Sequence, residues 1–204
     1  MITVLHINDH SIAGHLGNQL FQVATAIGVA EKYNQEVALP NWEYGKFFKN
    51  PPKNLEEPYP DFITYYEPHY HYADIIEHPN INLHGYFQTE LYFKHCENKV
   101  RDAFEFINQP EINLSNTTAL HIRRGDYLQL QDHHPIQPMQ YYEEAMELVG
   151  KDKEYLVFSN DIPWCQANFK GKNIKFSEGR DEIEDLYLMT QCENVIMANS
   201  SYSW

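Results

Sequence analysis

Apolar positions near the N-terminus first follow a strand-like run, residues 2–8, and then a helical spacing from about 18 to 33. Leu20, Ala24 and Ile27 fall on one helical face with Phe21 beside them, and the polar stretch between the two runs carries Gly14 and Gly17. This reads as strand, glycine loop, helix. A second short strand at 36–40 would close a βαβ unit of the kind that builds parallel sheets. From 42 to 93 the periodicity dissolves: fourteen of the 29 aromatic residues and six of the eleven prolines lie here. Proline at that density breaks regular elements, so packed irregular structure is expected, with short strands such as 81–87. Helical spacing returns at 91–106, and the Asn-, Ser- and Thr-rich stretch 108–118 with Pro110 reads as an interdomain linker.

Beyond it the alternation is regular. Strands are expected at 118–122, 155–159, 173–176 and 195–198, with helices at 138–149, 163–169 and 182–192. Strand and helix in strict turn predict a doubly wound α/β domain over 117–204, preceded by an α/β domain over 1–110 that carries the aromatic-rich insertion. The last strand leads into a Ser-rich loop with nothing after it to cover its apolar face, so the chain is expected to be truncated and its second domain incomplete.

Composition narrows the function. At 43% hydrophobic and 22% charged, the chain is an ordinary globular protein, and disorder and collagen are excluded. A formal net charge of −14 opposes attraction to nucleic acid or to an anionic membrane. Cys96, Cys165 and Cys192 form no C-x-x-C pair, which suits a reducing compartment better than a disulfide framework or a zinc cage. The longest nearly apolar stretch, 23–30, is far short of the roughly 18 residues that a membrane helix needs. The N-terminus lacks the layout of a signal peptide, and a cytoplasmic location is expected.

Only four residues are arginines, and two of them, Arg123 and Arg124, are adjacent in H-I-R-R-G-D-Y. Alternation puts Leu120 and Ile122 on one face of the strand and His121 with Arg123 on the other, while Arg124 falls at the strand end where α/β proteins bind ligands. Two guanidiniums there can hold a pyrophosphate, and Asp126 can orient one of them. A surface Arg–Asp turn would use the same residues. The G-H-L-G-N-Q loop, Gly14 to Gln19, can bring backbone N–H groups and a helix N-terminus to an anion, although Asn18 would serve equally as a helix cap. Ser200, Ser201 and Ser203, again after a strand, suit phosphate or sugar oxygens as well as plain turns. Asp161 and Asp185 can accept hydrogen bonds from a base or ribose, or act as caps or solvated carboxylates. His69, His71, His78 and His84 lack a partner at a recognised ligand spacing, so no metal is expected.

Five motifs stand in one order: G-H-L-G-N-Q-L-F-Q, H-G-Y-F-Q-T-E, H-I-R-R-G-D-Y, F-S-N-D-I-P-W-C, and D-L-Y-L-M followed by A-N-S-S-Y-S-W. Together they resemble the α-1,2-fucosyltransferases of glycosyltransferase family 11. The resemblance implies a GT-B-like architecture, two Rossmann-like domains facing a cleft. It implies inverting transfer of L-fucose from GDP-β-L-fucose to the 2-hydroxyl of a β-galactoside acceptor, without a cofactor or metal. By motif, Arg123 and Arg124 would bind the donor pyrophosphate and, with Asn18, act in catalysis, with His121 and Asp126 supporting the arginines. Gly17 and Asn18 would face the donor phosphate or fucose, Ser200 and Ser201 the phosphates, and Asp185 the guanosine side. Partners would then be the donor and an acceptor glycan, with membrane association only through that acceptor.

Two features depart from the family pattern: a histidine, His15, in the glycine loop, and an ending short of the family's further elements. The base that receives the acceptor proton is not identified; His15, Asp9 and Glu90 are candidates. The alternatives are a non-catalytic GDP-sugar or glycan-binding remnant and a transferase that uses another nucleotide sugar.

Overall fold

The computed structural model describes residues 1–107 and 109–204, and the chain divides into two compact units, Met1–Asn108 and Gln109–Trp204. In the first, β1 (Ile2–Thr3) is followed by α1 (His10–Ala13), α2 (Leu16–Lys32), β2 (Ala38–Leu39), β3 (Lys53–Asn54), β4 (Ile63–Tyr66), β5 (Ile81–His84) and α3 (Glu97–Ala103). Strands β1, β5 and β4 pair in parallel in that order, as do β2 and β3. A parallel bridge from Ile2 to Val37 joins the two groups. Five short strands thus run one way in the order β3-β2-β1-β5-β4. Their core is Ile2, Val4, Leu16, Val23, Ala26, Ile81 and Leu83, all fully buried.

The strand expected over 2–8 stops at Thr3. Turn bonds from Ile7 N–H to Val4 O (3.2 Å) and from Asp9 N–H to His6 O (2.8 Å) curl the chain over, and Asp9 caps α1 through Ser11 N–H (3.0 Å). Helix α2 packs against the segment around Tyr92 so closely that a Cβ on Gly28 would lie 2.2 Å from Tyr92 O. The helix expected at 91–106 is broken, because Phe93 (φ −133°, ψ 0°) separates two 3-10 turns before α3 begins at Glu97. In the aromatic-rich segment Trp42, Tyr44, Phe48, Phe87 and Tyr92 are buried, so most of its organisation is ring packing such as Trp42 on Phe48 (5.7 Å). The strand expected at 81–87 ends at His84, since Gly85 and Phe87 take positive φ (152° and 52°).

The second unit contains β6 (Leu114–Ile122), α4 (Met139–Val149), β7 (Glu154–Ser159), α5 (Ile162–Asn168), β8 (Ile174–Phe176), α6 (Glu182–Gln191) and β9 (Cys192–Ile196). The four strands are parallel in the order β8-β7-β6-β9, so the winding reverses between β6 and β9. Leu120, Ile122, Tyr155, Val157 and Ile196 pack with Tyr142 of α4 and Cys165 of α5, whereas Ala119 and Phe158 pack with Leu188 and Met189 of α6. Asp181 caps α6 in a reciprocal box with Glu184.

Two expectations are corrected here. Residues 114–118, read as linker, belong to β6, where pairing on both sides and the β-branched Thr117 and Thr118 outweigh the Asn- and Ser-rich composition; Asn108 lies outside the described residues. The last strand begins three residues earlier and ends two residues earlier than its apolar run suggested, because Cys192 leaves α6 directly into pairing with Leu114.

Gly28→Ala should destabilise the protein by about 1 to 3 kcal/mol, since the intruding methyl meets backbone rather than a movable side chain. Chemical denaturation followed by circular dichroism checks this, and an unchanged midpoint would contradict the packing described.

Candidate functional site

The crevice between the carboxyl ends of β6 and β9 is where an open parallel sheet receives a ligand. H-I-R-R-G-D-Y leaves β6 at that point. Arg123 donates from Nη2 to Asp126 (3.0 Å) and lies 5.4 Å from the Tyr127 ring centroid. Arg124 donates from Nε to Asp161 (3.2 Å), and its guanidinium lies 3.9 Å from the centroid of the Trp164 ring. Their side chains are 27% and 16% exposed, so neither is a free surface charge. Burial alone would raise the Asp126 carboxyl, but its bonds with Arg123 and Asn160 and the Arg123 charge bring it below the usual range. Arg123 Nε is enclosed and without a partner.

Asn160, from F-S-N-D-I, ties the turn together. Its Oδ1 accepts from Arg124 N–H (3.0 Å) and its Nδ2 donates to Asp126 (3.2 Å). A Cβ on residue 125 would lie 2.3 Å from Asn160 Nδ2, which is why glycine stands there. Asp161 also accepts from Trp164 N–H (3.3 Å) as the N-cap of α5, so its carboxylate is committed to Arg124 and the helix rather than left open for a ribose.

Opposite this turn the Ser-rich loop follows β9. His121 Nδ1 and Ser203 Oγ are hydrogen-bonded at 2.7 Å, and Tyr127 OH donates to Asn199 O (3.3 Å). Ser200 accepts from Tyr202 N–H through Oγ (3.3 Å), and its carbonyl accepts from Ser203 N–H (3.2 Å). The serines therefore build the turn itself, and Ser201 lies within it. The Tyr202 ring stands 5.4 Å from His121. Burial pushes the Tyr202 phenol up, with Asp185 among the carboxylates that add to the shift. Asp185 accepts from Ser177 Oγ (2.5 Å); burial raises its carboxyl, partly offset by that bond and by Arg180. His121, Arg123, Arg124, Asp126, Ser200 and Ser203 are thus gathered at one crevice, while Asp185 is bonded to Ser177 just after β8.

Gly17 and Asn18 belong to the first unit. Helix α2 starts at Leu16 with His15 in the N-cap position, so Asn18 is a residue of the first turn and not the cap. Gly14 has φ +71°, and a Cβ there would lie 2.2 Å from Asn18 Nδ2. Gln88 donates to Asn18 Oδ1 (2.8 Å), linking the glycine loop to G-Y-F-Q. Sequence reasoning missed two struts. Gln19 Nε2 donates to Gly14 O (3.0 Å) while its Oε1 accepts from Trp42 Nε1 (2.9 Å), and Gln22 Nε2 donates to Ala13 O (2.7 Å). Both amides are fully buried, and glutamine within an apolar helical run was the available signal.

Of the proposed bases, Asp9 is engaged by Ser11, whose hydroxyl and N–H hold its carboxyl below the usual range. His15 and Glu90 are exposed. His69 and His78 bond to backbone two residues away, at His71 and Asn80, whereas the His84 ring meets those of Tyr66 and His6 at tilted angles. Among the described residues no group of three or more His, Cys, Asp or Glu is placed to hold a metal ion. Nor is any helix among them long and apolar enough to cross a membrane.

The two α/β units of parallel strands have a GT-B-like fold: the fucosyltransferase NodZ from Bradyrhizobium superposes with a TM-score of 0.56 at 13% identity, over 92% of this chain and 87% of that one. The chain itself belongs to glycosyltransferase family 11, whose family model matches residues 5–204. The O-antigen biosynthesis glycosyltransferase WbnK of Escherichia coli is 34% identical over 60% of this chain and 48% of its own length. An alpha-1,2-colitosyltransferase of Escherichia coli is 30% identical over 61% and 50%. Galactoside alpha-(1,2)-fucosyltransferase 1 of Alouatta belzebul is 24% identical over 94% and 62%. The chain spans about half the length of the first two of these curated relatives.

Burial, aided by the Arg123 charge, lowers His121 from 6.5 to about 4. The unfolded chain therefore takes up a proton near pH 6.5 that the folded protein refuses until about pH 4. The His121 contribution is full above that window and declines as pH falls through it, by up to about 3 kcal/mol. Denaturant titrations from pH 7 to about pH 4.5 should show a steeper decline for the wild type than for His121→Gln; parallel declines would refute the assignment.

Proposed function

We propose that the protein is an inverting α-1,2-fucosyltransferase that moves L-fucose from GDP-β-L-fucose to the 2-hydroxyl of a galactoside. One observation carries the reading: two partly buried guanidiniums, each fixed by its own carboxylate, at the winding reversal of a parallel sheet. Fucosyl transfer breaks a bond to a diphosphate through a transition state with positive charge on the sugar and growing negative charge on the leaving group. Fixed guanidiniums at the diphosphate lower that barrier directly. Asp161 engages Nε of Arg124 and leaves the terminal amino groups as donors to a phosphate.

In this reading Arg123 and Arg124 hold the pyrophosphate, Asp126 and His121 keep the strand end in shape, and Ser200 and Ser201 add hydroxyls. Asp185 takes the guanosine side, and Gly17 and Asn18 approach the donor phosphate or sugar. The family and the names of its members support fucosyl transfer. The galactoside acceptor in this reading is supported by the name of the Alouatta belzebul relative. A second reading, in which another deoxysugar is transferred, is favoured by the relative named as a colitosyltransferase. In this reading the protein works in the cytoplasm, with any membrane contact made through the acceptor.

Calorimetry should give tighter binding of GDP than of UDP; equal affinity would point to another donor. Arg123→Ala and Arg124→Ala should each slow transfer by about 2 to 4 kcal/mol in the barrier with little change in melting temperature. Turnover within twofold of wild type for both would refute the pyrophosphate role.

Because the arginines supply the charge that a divalent ion would otherwise supply, activity should survive EDTA. Loss of turnover restored by manganese or magnesium would overturn this part of the reading.

A further inference from the structure

The last turns of α2 form one wall of a cavity of about 270 Å³ that lies wholly within the first unit. Lys32, on its rim, stands about 21 Å along the helix from Asn18, so the cavity is well removed from the glycine loop. Val29, Ile75 and Tyr92 line it as buried apolar groups, whereas Lys32, Tyr72, Leu91 and His95 reach solvent. A second wall is the stretch 72–75, which has no regular secondary structure and is nevertheless tied down along its length. Tyr92 OH accepts from Ala73 N–H (3.1 Å), Tyr33 OH donates to Ile75 O (2.5 Å), and Asp74 accepts from both Tyr72 OH (2.6 Å) and Lys32 (3.0 Å). The Tyr72 ring, 39% exposed, rests 4.9 Å from that of Tyr92. An exposed ring pinned at its hydroxyl and against a buried neighbour loses little freedom when a ligand meets it. His95 Nε2 lies 3.1 Å from Gly28 O; a carbonyl only accepts, so this nitrogen carries the proton and Nδ1 of the neutral ring is an acceptor.

We infer that this cavity binds a neutral pyranose ring of a glycan, with Tyr72 as its stacking face. The volume falls just below the roughly 300 Å³ at which pockets for drug-sized ligands begin, which gives room for one ring rather than for a nucleotide. An ionic ligand finds no uncompensated charge here, because Lys32 and Asp74 satisfy each other. The bonds from Tyr72 and Lys32 hold the Asp74 carboxyl below the usual range, so that pair stays ionised at neutral pH. A purely apolar ring would take water from the ammonium and the carboxylate and return no hydrogen bond. A pyranose answers both halves of the site. Its C–H face suits the Tyr72 ring and the Leu91 side chain, and its hydroxyls can donate to Asp74 and to His95 Nδ1 and accept from Lys32. Membership of a glycosyltransferase family supplies the class of molecule to which such a ring belongs. The inference concerns the first unit alone and is independent of which sugar the protein transfers.

The test follows the methyl resonances of Val29, Ile75 and Leu91 in the whole chain during titration with methyl β-D-galactopyranoside. Titrations with p-cresol, an apolar ring, and with methyl β-D-glucuronide, an anionic one, run beside it. The three sets of methyls should shift saturably with the galactoside, and the other two probes should bind at least about threefold more weakly. Tyr72→Ala should weaken galactoside binding at least about tenfold, and Tyr72→Phe, which keeps the ring, by no more than about threefold. Leu91→Asp, at a position 52% exposed, should weaken it at least about fivefold and decides the matter should Tyr72→Ala fail to fold. GDP affinity should stay within about twofold of wild type in the folded variants, because neither residue lies at the Arg123 and Arg124 turn. Methyls that do not move, tighter binding of p-cresol or the glucuronide, galactoside shifts that persist in Leu91→Asp, or a parallel loss of GDP affinity would each overturn the site. Those results leave the fucosyltransferase reading standing, whereas a wild type that ignores GDP yet shows the shifts would sink that reading and keep this site.

Discussion

Two guanidiniums on consecutive residues repel each other, and the second unit is organised around keeping them apart and compensated. Each is given its own carboxylate, Asp126 from the same turn and Asp161 from the next strand end, and each lies near an aromatic ring. Asn160 spans the two arrangements through both ends of its amide. A local concentration of positive charge in a chain of net charge −14 is therefore held in place by short-range geometry, where the long-range field would favour cations. The same arrangement separates the site from a surface ion pair, because the arginines are fixed before any anion arrives and spend little on being ordered by it.

The two units answer the same topological problem with different chemistry. Each is a parallel sheet whose winding reverses beside the first strand of the unit, and each places polar residues at the reversal. In the second unit these are arginines with carboxylates and a serine turn; in the first they are imidazoles, a tyrosine and a glycine loop braced by amides. The sheet provides the same opening in both, and the side chains at its rim decide which chemistry suits it.

Much of the second unit could be read from the chain. Its helices and strands alternate in strict turn, α4 carries the 3.6-residue period, and β7 reads as a short apolar run between polar ends. Arg123 and Arg124 stood out because arginine is scarce, and the placement of His121 on the face opposite Leu120 follows from strand alternation. The first unit was harder. Two-residue strands such as β1 and β2 are too short to show a period, β4 is largely exposed, and ring packing around Trp42 and Phe48 takes the place of a repeating pattern. Asn160, Gln19 and Gln22 were missed because an amide that serves as a strut looks, in sequence, like any polar residue.

Those inward-facing glutamines tie the glycine loop to the helix that follows it. Gln19 and Gln22 hold the carbonyls of Gly14 and Ala13 from within a buried helix face, and Gln19 is itself held by the Trp42 indole. A loop anchored in this way cannot open by fraying alone; its departure requires amides to leave the core of α2. Hydrogen exchange at the loop should therefore share the opening free energy of the helix, so that a segment with the composition of a mobile turn behaves as part of the unit's slowest-exchanging body.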